Sequence, residues 1–460
     1  MIVVDAGNLL FKNPLLSGAE GTNDTTALIV AHGITRAYQA MNYDAVAVSS
    51  TDLSAGPAFF RQTSDHPFPW ISANIYEPGG DLFFQPHIIK KSDNVTVGII
   101  GLTGNNGNGS RDFIVGDWRK ALEVELTLLE KSCDILVVLS NLTSPENMEI
   151  QRDFSQVDII VTADAKGANI KPQMSPNSLV VQSGAQGKYL GKLDITGHAE
   201  GNWHISSPQL PQLLTQKKDR LTSIDRQLSQ LEKQQSEESG DFSKKIARLK
   251  AYRLIISDQI AQHTMEIAEG ETKPIKSFTS VFLPVLPASS KDSIGAIVQE
   301  INESINTFNR YRRASLQEDD PALRLALQKD EIVGISGCVN CHEKQTTFWK
   351  NTRHANAYTT LSQQGRSFNL RCLPCHVTAG NVSASSAESE LLFLLSLDTD
   401  RQTIGCEVCH GPGDRHLLSR GEEKPIRIPP EEICTKCHTP DRDNNFDFPK
   451  KRAVIACPAD

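Results

Sequence analysis

The sequence predicts an α/β layered unit, then an antiparallel helical hairpin that forms a short coiled coil, and then a small, mostly α-helical region rich in cysteine. Three observations predict this order. Short β-branched runs alternate with amphipathic stretches up to residue 205, an apolar heptad pattern runs through residues 213–267, and nine of the ten cysteines follow residue 337. The predicted segments are residues 1–205, 206–270, 271–330 (a connecting strand and helix) and 331–460.

Composition narrows the class of protein. The chain has 460 residues, a formal net charge of −8, 22% charged side chains and 39% hydrophobic ones. This length predicts two to four domains, and the composition is that of a globular protein rather than a disordered or collagen-like one. The negative net charge and the lack of a basic patch argue against binding to nucleic acid. No apolar run reaches the roughly 18 residues of a membrane span, so we expect none.

The first 205 residues alternate between two kinds of segment. Short runs rich in Val and Ile have the length of buried strands, and stretches such as residues 119–129 have the period of amphipathic helices. This alternation predicts α/β layers with a substantially parallel sheet. The predicted strands are residues 2–4, 45–48, 95–100, 135–139, 159–161 and 179–182.

The next region has a different period. Its apolar side chains are spaced as positions a and d of a heptad, interrupted by a turn-like stretch at residues 236–240, which predicts two antiparallel helices. Such a pair serves as a spacer or a dimer contact, or packs on a neighbouring domain. A strand at 278–283 and an amphipathic helix at 292–310 follow. The heptad positions are Leu214, Leu221, Ile224, Leu228 and Leu231, then Phe242, Ile246, Leu249, Ile256 and Ile260.

Eight cysteines stand in four Cys-x-x-Cys-His pentads. Two thiols three positions apart lie on one side of a helical turn, so both can add to the vinyl groups of one porphyrin, and the histidine that follows can bind the iron. Structural zinc would leave four regularly placed histidines unexplained, and disulfides across such short loops would stabilise little. We therefore expect four covalently bound c-type haems. The attachment residues are Cys338, Cys341, Cys372, Cys375, Cys406, Cys409, Cys434 and Cys437, and the proximal ligands are His342, His376, His410 and His438.

The region that carries the pentads is small. Residues 331–460 leave about 32 positions for each haem, too few for an ordinary apolar core around four porphyrins. The haems themselves are expected to form the core, surrounded by short helices and a further helical stretch at residues 389–397.

The axial ligands can be counted. Four irons have eight axial positions, of which the pentads fill four, and His354 and His416 are the only other histidines of the region. No methionine follows Met265, so His354 and His416 are the predicted distal ligands of two low-potential bis-His haems. The other two irons take ligands from elsewhere or stay five-coordinate and open to a small molecule. Further candidates are a neighbouring subunit, Cys457, and the N-terminal histidines His32, His66, His87, His198, His204 and His263.

Haem attachment also predicts a location. It takes place outside the cytoplasmic membrane in bacteria, so the protein is expected in the periplasm or outside the cell. The sequence opens Met1-Ile-Val-Val-Asp5 without a basic start, an apolar core or a cleavage site. We expect the signal peptide to lie upstream of this start.

The cysteine-rich region resembles the multihaem cytochromes typified by the tetrahaem cytochrome c-554. The resemblance lies in residues 354–361 (His-Ala-Asn-Ala-Tyr-Thr-Thr-Leu), 372–380, 406–413 and 434–439. It implies electron transfer, and it implies that the histidine of the His-Ala segment, here His354, is a distal ligand. Members of that family often carry one haem with an open site, which fits the shortage of ligands.

The first 200 residues resemble the 5'-nucleotidase branch of the calcineurin-like metallophosphoesterases, in segments 4–8, 43–56, 95–102, 137–141 and 184–191. The resemblance implies a layered α/β sandwich. Enzymes of that family hold two metals with a bridging Asp, an Asn and several His. The matching positions here carry Asn8 for the bridging Asp, Ser50 and Thr51 for the Asn and the catalytic His, Asn141 for a metal His, and Asp164 and Lys166 around a His pair.

These replacements remove the chemistry of the family. Two cations close together need a bridging carboxylate and surrounding imidazoles, and Asn8 cannot bridge as an anion. Thr51 cannot act as a general acid near neutral pH. We therefore expect no dinuclear metal centre and no phosphoesterase activity, with Asp5, Asp52 and Asp164 as ordinary carboxylates rather than residual metal ligands.

The leading hypothesis is an extracytoplasmic tetrahaem cytochrome that relays electrons between redox partners, with the phosphatase-like domain as a scaffold or docking module. On this hypothesis the protein is an electron carrier rather than an enzyme. The alternative is an oxidoreductase acting on a small nitrogen or oxygen compound at a five-coordinate haem. A metal-dependent phosphoesterase is the least favoured function, and assembly into a homo-oligomer that shares haem ligands stays open.

Overall fold

The computed structural model describes the 460-residue chain apart from a set of short segments. Some predicted features fall in those segments and therefore lie outside the described residues. They are found at Asp164, Lys166, His66, His198 and most of the 389–397 stretch, among others. The segments left out are 12–21, 62–67, 106–111, 164–168, 176, 185–186, 197–202, 206–209, 238–241, 271–275, 287–291, 316–330, 380–393, 395–396, 441, 444 and 459–460.

The chain forms two units. The first, called the α/β unit, contains Met1–Ser17 and Met41–Pro287. The second, called the C-terminal unit, contains Ala288–Asp460 together with the early segment Gly18–Ala40.

A six-stranded sheet forms the centre of the α/β unit. Its strand order is β10-β11-β9-β8-β6-β5. The four inner strands are parallel to one another, while the edge strands β5 and β10 are antiparallel to their neighbours, so the predicted parallel sheet is present. The strands are β5 (His87–Ser92), β6 (Val95–Leu102), β8 (Ile135–Ser140), β9 (Ile159–Thr162), β10 (Ile170–Met174) and β11 (Leu179–Gln182).

Smaller sheets complete this unit. One is parallel, in the order β1-β2-β3, another has the order β12-β14-β13, and β4 and β7 form an antiparallel ribbon. The strands are β1 (Val4–Asp5), β2 (Ala45–Ala47), β3 (Trp70–Ile71), β4 (Ile75–Tyr76), β7 (Ile114–Val115), β12 (Tyr189–Thr196), β13 (His204–Ile205) and β14 (Ser277–Pro284).

Residue alternation along the inner strands builds a core on each face of the large sheet. Leu136 and Val138 of β8 pack with α3 (Trp118–Leu129) and α4 (Ser144–Asp153). Ile135 and Val137 point the other way, where they pack with residues of the small sheets. Because successive side chains of a strand face opposite ways, an entirely apolar strand is buried between two layers. A short helix α2 (Pro57–Arg61) lies between β2 and β3.

Two long helices follow β13. They are α5 (Leu210–Glu237) and α6 (Ser243–Gly270), and their facing sides bury Ile224, Leu228, Leu231, Ile246 and Ile256. Asp225 pairs with Arg253 and Glu232 pairs with Lys250, which is an antiparallel register. The predicted helical pair is therefore present, and its supercoiling stays a prediction.

The C-terminal unit begins with a helix from the front of the chain. Helix α1 (Thr22–Ala40) packs against α7 (Ser293–Ser315), and the side chain of Ile301 occupies the space where a Cβ on Gly33 would lie. Arg36 forms a two-fold ion pair with Glu300 at 2.7 and 2.8 Å. Residues far apart in sequence thus join in one unit.

Short helices and turns make up the rest of the C-terminal unit, as predicted for the pentad region. An apolar cluster of Leu361, Leu370, Leu373, Val377 and Leu397 surrounds the second pentad. No described helix anywhere in the chain is long and apolar enough to span a membrane. The helices are α8 (Ser336–Val339), α9 (Glu343–Lys350), α10 (Ala357–Gln363), α11 (Cys406–His410), α12 (Asp414–Leu418), α13 (Glu431–Thr435) and α14 (Phe448–Ile455).

Candidate haem-binding site

Each pentad adopts one tight turn of helix. In the first, the amide of His342 donates to the Cys338 carbonyl at 3.0 Å, and in the fourth the amide of His438 donates to the Cys434 carbonyl at 2.9 Å. The third pentad is helix α11 itself, and the second contains the 3₁₀ turn Leu373–Cys375. All ten cysteines are free thiols, and within the described residues no three or more His, Cys, Asp or Glu side chains are grouped to hold a metal ion.

Hydrogen bonds orient three of the four pentad histidines. The Nδ1–H of His376 donates to the Ala357 carbonyl at 2.7 Å, and that of His410 donates to the Ile426 carbonyl at 2.6 Å. His438 differs, because its Nδ1–H donates to the Asp443 carboxylate at 2.9 Å. A bond at Nδ1 fixes the tautomer and leaves the Nε2 lone pair available to a metal.

Two pentad histidines lie opposite the two predicted distal histidines. The ring centres of His342 and His416 are 6.0 Å apart, with 28° between their planes. Those of His354 and His438 are 6.3 Å apart at 55°. His416 is also oriented through Nδ1, which donates to the Glu423 carbonyl at 2.7 Å.

These spacings fit one iron between the rings of each pair. With metal–imidazole bonds of about 2 Å and a ring centre about 1.1 Å behind each nitrogen, two imidazoles on opposite sides of one metal have centres about 6 Å apart. Rings in direct van der Waals contact would lie closer. Burial, with a smaller contribution from His438, lowers the pKa of His354, so its ring is held in the neutral form that binds metals.

The attachment cysteines of different pentads adjoin one another. Cys338 of the first pentad and Cys406 of the third are neighbours, and the proximity of Cys406 raises the pKa of Cys338. Contact with Cys437 of the fourth pentad lowers the pKa of Cys375 in the second pentad to about 6. The pentads therefore adjoin in two pairs, the first with the third and the second with the fourth.

The third and fourth pentads are also neighbours. Burial, followed by the nearby Cys434 and Cys457, raises the pKa of Cys409 to about 11. Cys409 belongs to the third pentad and Cys434 to the fourth. The pentads thus adjoin in the order first, third, fourth, second.

A buried glutamate connects the chain segments that precede His342 and His416. Glu407, one of the variable residues of the third pentad, is 7% exposed. Its carboxylate accepts hydrogen bonds from the amides of Val333 and Gly334 at 2.9 Å each, just before the first pentad. It also accepts from the amide of Gly413 at 2.8 Å, just before His416. One side chain therefore holds the segments that lead to His342 and to His416.

The positions that match phosphatase metal ligands are filled by hydrogen bonds within the chain. The Nδ2 group of Asn8 donates to the Ala163 carbonyl at 2.7 Å. The side chain of Asn141 donates to the Val48 carbonyl at 3.0 Å and accepts from the Gly104 amide at 2.9 Å. These two side-chain amides link neighbouring loops by hydrogen bonds to the backbone.

Asp52 has a similar structural role. It is fully buried and accepts hydrogen bonds from the amides of Ser49 and Leu10 at 3.0 and 2.7 Å and from the Ser49 hydroxyl at 2.7 Å. Burial raises its pKa, against these hydrogen bonds. Thr51 donates to Asn8 at 3.4 Å, Asp5 accepts from the Gly7 amide at 2.9 Å, and the buried Ser50 hydroxyl has no partner among the described residues.

Sequence reasoning missed Glu407 and Asp443. Both are acidic residues within or just behind a pentad, at variable positions where a carboxylate carries no motif signal. A carboxylate inside a pentad is a usable indication, because a charge so close to a buried haem needs a partner.

Residues 337–411 match the protein family described as "Cytochrome c554 and c-prime". The cytochrome c-554 of Nitrosomonas europaea is 27% identical, over 23% of this chain and 56% of that relative. The chain thus spans about half the length of the curated relative that it matches. The match supports a multihaem cytochrome c with covalently bound haem in the C-terminal region.

Solved structures similar to this chain match its N-terminal part. The 5'-nucleotidase precursor of Thermus thermophilus is 24% identical, covering 44% of this chain and 43% of that one, with a TM-score of 0.35. The NAD nucleotidase of Haemophilus influenzae is 19% identical, covering 42% of this chain and 38% of that one, with a TM-score of 0.36.

Proposed function

We propose that this chain is an extracytoplasmic c-type cytochrome that carries four haems and relays electrons between redox partners. The observation that carries the proposal is the placement of His342 opposite His416 and of His354 opposite His438, at ring-centre distances of 6.0 and 6.3 Å. An iron held between two imidazoles has no position left for a substrate. Such an iron can only gain and lose electrons.

The residues of the chain supply what electron transfer requires. A bound c-type haem supplies a reversible one-electron change at its iron, and the protein supplies ligands, burial and orientation. The Nδ1 bonds of His376, His410, His416 and His438 hold their rings, so little rearrangement accompanies a change of charge. Rigid ligands favour electron transfer over bond chemistry.

The packing of the pentads supports a relay. Cys338 adjoins Cys406, Cys409 lies near Cys434, and Cys437 adjoins Cys375, so the attachment sites form one continuous series. The ends of the series are the first pentad and the second. We expect electrons to enter at one of these ends and to leave at the other.

The relay is tested by spectropotentiometric titration of the haem-loaded protein. The expected result is full reduction by four electrons per chain, with two low-potential low-spin phases. His354→Ala and His416→Ala should each convert one haem from low-spin to high-spin, and added imidazole should restore the low-spin absorbance. A spectrum that does not respond to either substitution would contradict the proposed ligands.

A haem enzyme is the second candidate function, and the shortage of ligands favours it. With His354 and His416 taken, residues 331–460 contain no further histidine or methionine for the irons of His376 and His410. His32 on α1 is the one N-terminal candidate that belongs to the C-terminal unit. Electron paramagnetic resonance decides between the functions: a high-spin signal in the wild type that shifts with nitric oxide supports small-molecule chemistry, whereas entirely low-spin iron excludes it.

For the α/β unit we propose a scaffold or docking role without hydrolysis. Asn8, Asn141 and Asp52 bind loop backbones, and a water-activating metal pair needs free carboxylates and imidazoles. Hydrolysis of a nitrophenyl phosphate ester, assayed with added Mn²⁺ or Zn²⁺, should not exceed that of the buffer. Metal-dependent turnover by the purified protein would contradict this part of the proposal.

A further inference from the structure

Helix α6 has two apolar faces, and its pairing with α5 uses only one of them. The inner face carries Ile246 and Ile256, which are buried against α5. On the opposite side, Leu254 is 63% exposed, Ile255 is 51% exposed and Met265 is 68% exposed. Large apolar side chains in these numbers are unusual on the free side of a surface helix.

The outer face has the spacing of a helix–helix seam. Its residues recur at intervals of four and three, which is the a/d pattern of a heptad, and all are exposed. At 1.5 Å per residue the stripe is about 27 Å long, the length of an ordinary helix contact. The stripe consists of the apolar residues Ala247, Ala251, Leu254, Ala261 and Met265, with one charged residue, Asp258, near its centre.

Charge along α6 indicates what covers this face. The first half of the helix, residues 243–256, contains five basic residues and no acidic one, and the second half contains three acidic residues and no Lys or Arg. The helix dipole favours the reverse order, so the pattern does not stabilise α6 by itself. Of the basic residues, Lys250 and Arg253 pair with α5. The charged residues are Lys244, Lys245, Arg248, Lys250 and Arg253, then Asp258, Glu266 and Glu269.

We propose that two copies of this chain associate through the outer faces of α6, in antiparallel orientation. That orientation puts the basic half of each α6 opposite the acidic half of the other, whereas a parallel pair would oppose like charges. It has two-fold symmetry and closes as a dimer. With α5 of each copy, the contact makes a row of four helices in which every neighbouring pair is antiparallel, and Ala247, Ala251 and Ala261 allow the two α6 helices to approach closely.

The test is the molar mass of the haem-loaded full chain, measured by sedimentation equilibrium over a range of concentrations. The wild type should reach twice the chain mass. Leu254→Glu combined with Met265→Glu should weaken association at least tenfold, because it introduces charge into the seam. The matched control is Val124→Glu combined with Leu128→Glu on α3, where the two side chains are 58% and 61% exposed, and it should associate like the wild type.

Salt gives a second readout that reports orientation. Opposite charges across an antiparallel contact are screened by salt, so the dimer should weaken as NaCl is raised, while a parallel contact would strengthen. Far-UV circular dichroism should show unchanged helix content in all variants. A wild type that stays monomeric, or a dimer that Leu254→Glu and Met265→Glu leave intact, overturns the proposal.

Discussion

Single residues around the pentads give the pentad histidines different hydrogen-bond partners. The pentad histidines are the same residue type, but their Nδ1–H groups have different acceptors. His376 and His410 donate to backbone carbonyls, whereas His438 donates to the Asp443 carboxylate. A carboxylate partner makes an imidazole a stronger electron donor. The iron of the fourth pentad should therefore have the most strongly stabilised oxidised state.

Asp443→Asn tests this difference. The amide still accepts the Nδ1 hydrogen bond of His438 but removes a negative charge, so the oxidised iron is less stabilised and the potential of one haem should rise. We expect a rise on the order of 30–60 mV, given that 59 mV is a tenfold change in a one-electron equilibrium. Spectropotentiometry measures it. Asp447→Asn, at an exposed carboxylate that caps α14, is the control, and an equal rise there would contradict a specific role of Asp443.

Glu407→Gln tests the connection between the ligands of the first haem. A neutral amide offers one acceptor oxygen in place of two, and three backbone amides, those of Val333, Gly334 and Gly413, depend on the carboxylate. Each buried amide left unpaired costs about 1–3 kcal/mol. Thermal unfolding followed by Soret absorbance should shift to lower temperature, and some of the His416 ligation should be lost.

Glu343→Gln is the matched control for Glu407. Glu343 follows His342 directly and is exposed, so removing its charge alters the field near the same iron without freeing a buried amide. Its unfolding temperature should match the wild type within error. An equal loss in both variants would mean that charge, rather than the hydrogen bonds of Glu407, stabilises this part of the unit.

At the scale of elements, the packing of α1 on α7 joins the front of the chain to the C-terminal unit. The contact depends on a glycine, because a Cβ at Gly33 would lie 1.4 Å from Cδ1 of Ile301. The absent side chain lets the two helices approach. Arg36 and Glu300, about one turn away, add an exposed ion pair that contributes less than about 1 kcal/mol.

Gly33→Leu should destabilise the C-terminal unit by about 1–3 kcal/mol, the usual cost of overpacking. Ile301→Ala in the same chain should recover part of this loss, since it returns the space. Urea unfolding followed by haem absorbance measures both effects. Thr25→Leu, at an exposed position of the same helix, is the control, and a loss there of equal size would mean that an added leucine anywhere on α1, rather than the lost space at Gly33, destabilises the unit.

At the scale of the whole molecule, haem content is the decisive quantity. Each pentad forms its own helical turn, so each should carry its haem independently of the sequence elsewhere. The intact mass of the purified protein should exceed the mass of the mature chain by four haems. Cys341→Ala together with Cys338→Ala should lower the count to three, while Cys133→Ala in the α/β unit should leave it at four.

The extent of sequence-based prediction follows from how local each feature is. The pentads depend on residues at fixed positions, as do the amide side chains Asn8 and Asn141 and the apolar strands such as β8. Apolar periodicity likewise predicts the α5–α6 pair and α7. The residues that define a strand or a Cys-x-x-Cys-His turn are neighbours in the chain, so a local sequence pattern predicts them.

Tertiary structure alone decided which distant residues meet. His342 and His416 are 74 positions apart, and His354 and His438 are 84 apart. The sequence predicts His354 and His416 as distal candidates, but it does not predict which pentad each one faces. It also does not predict that α1 packs against α7. Pairings of this kind depend on burial and on the path of the whole chain, since the free energy that selects them comes from contacts that no local pattern encodes.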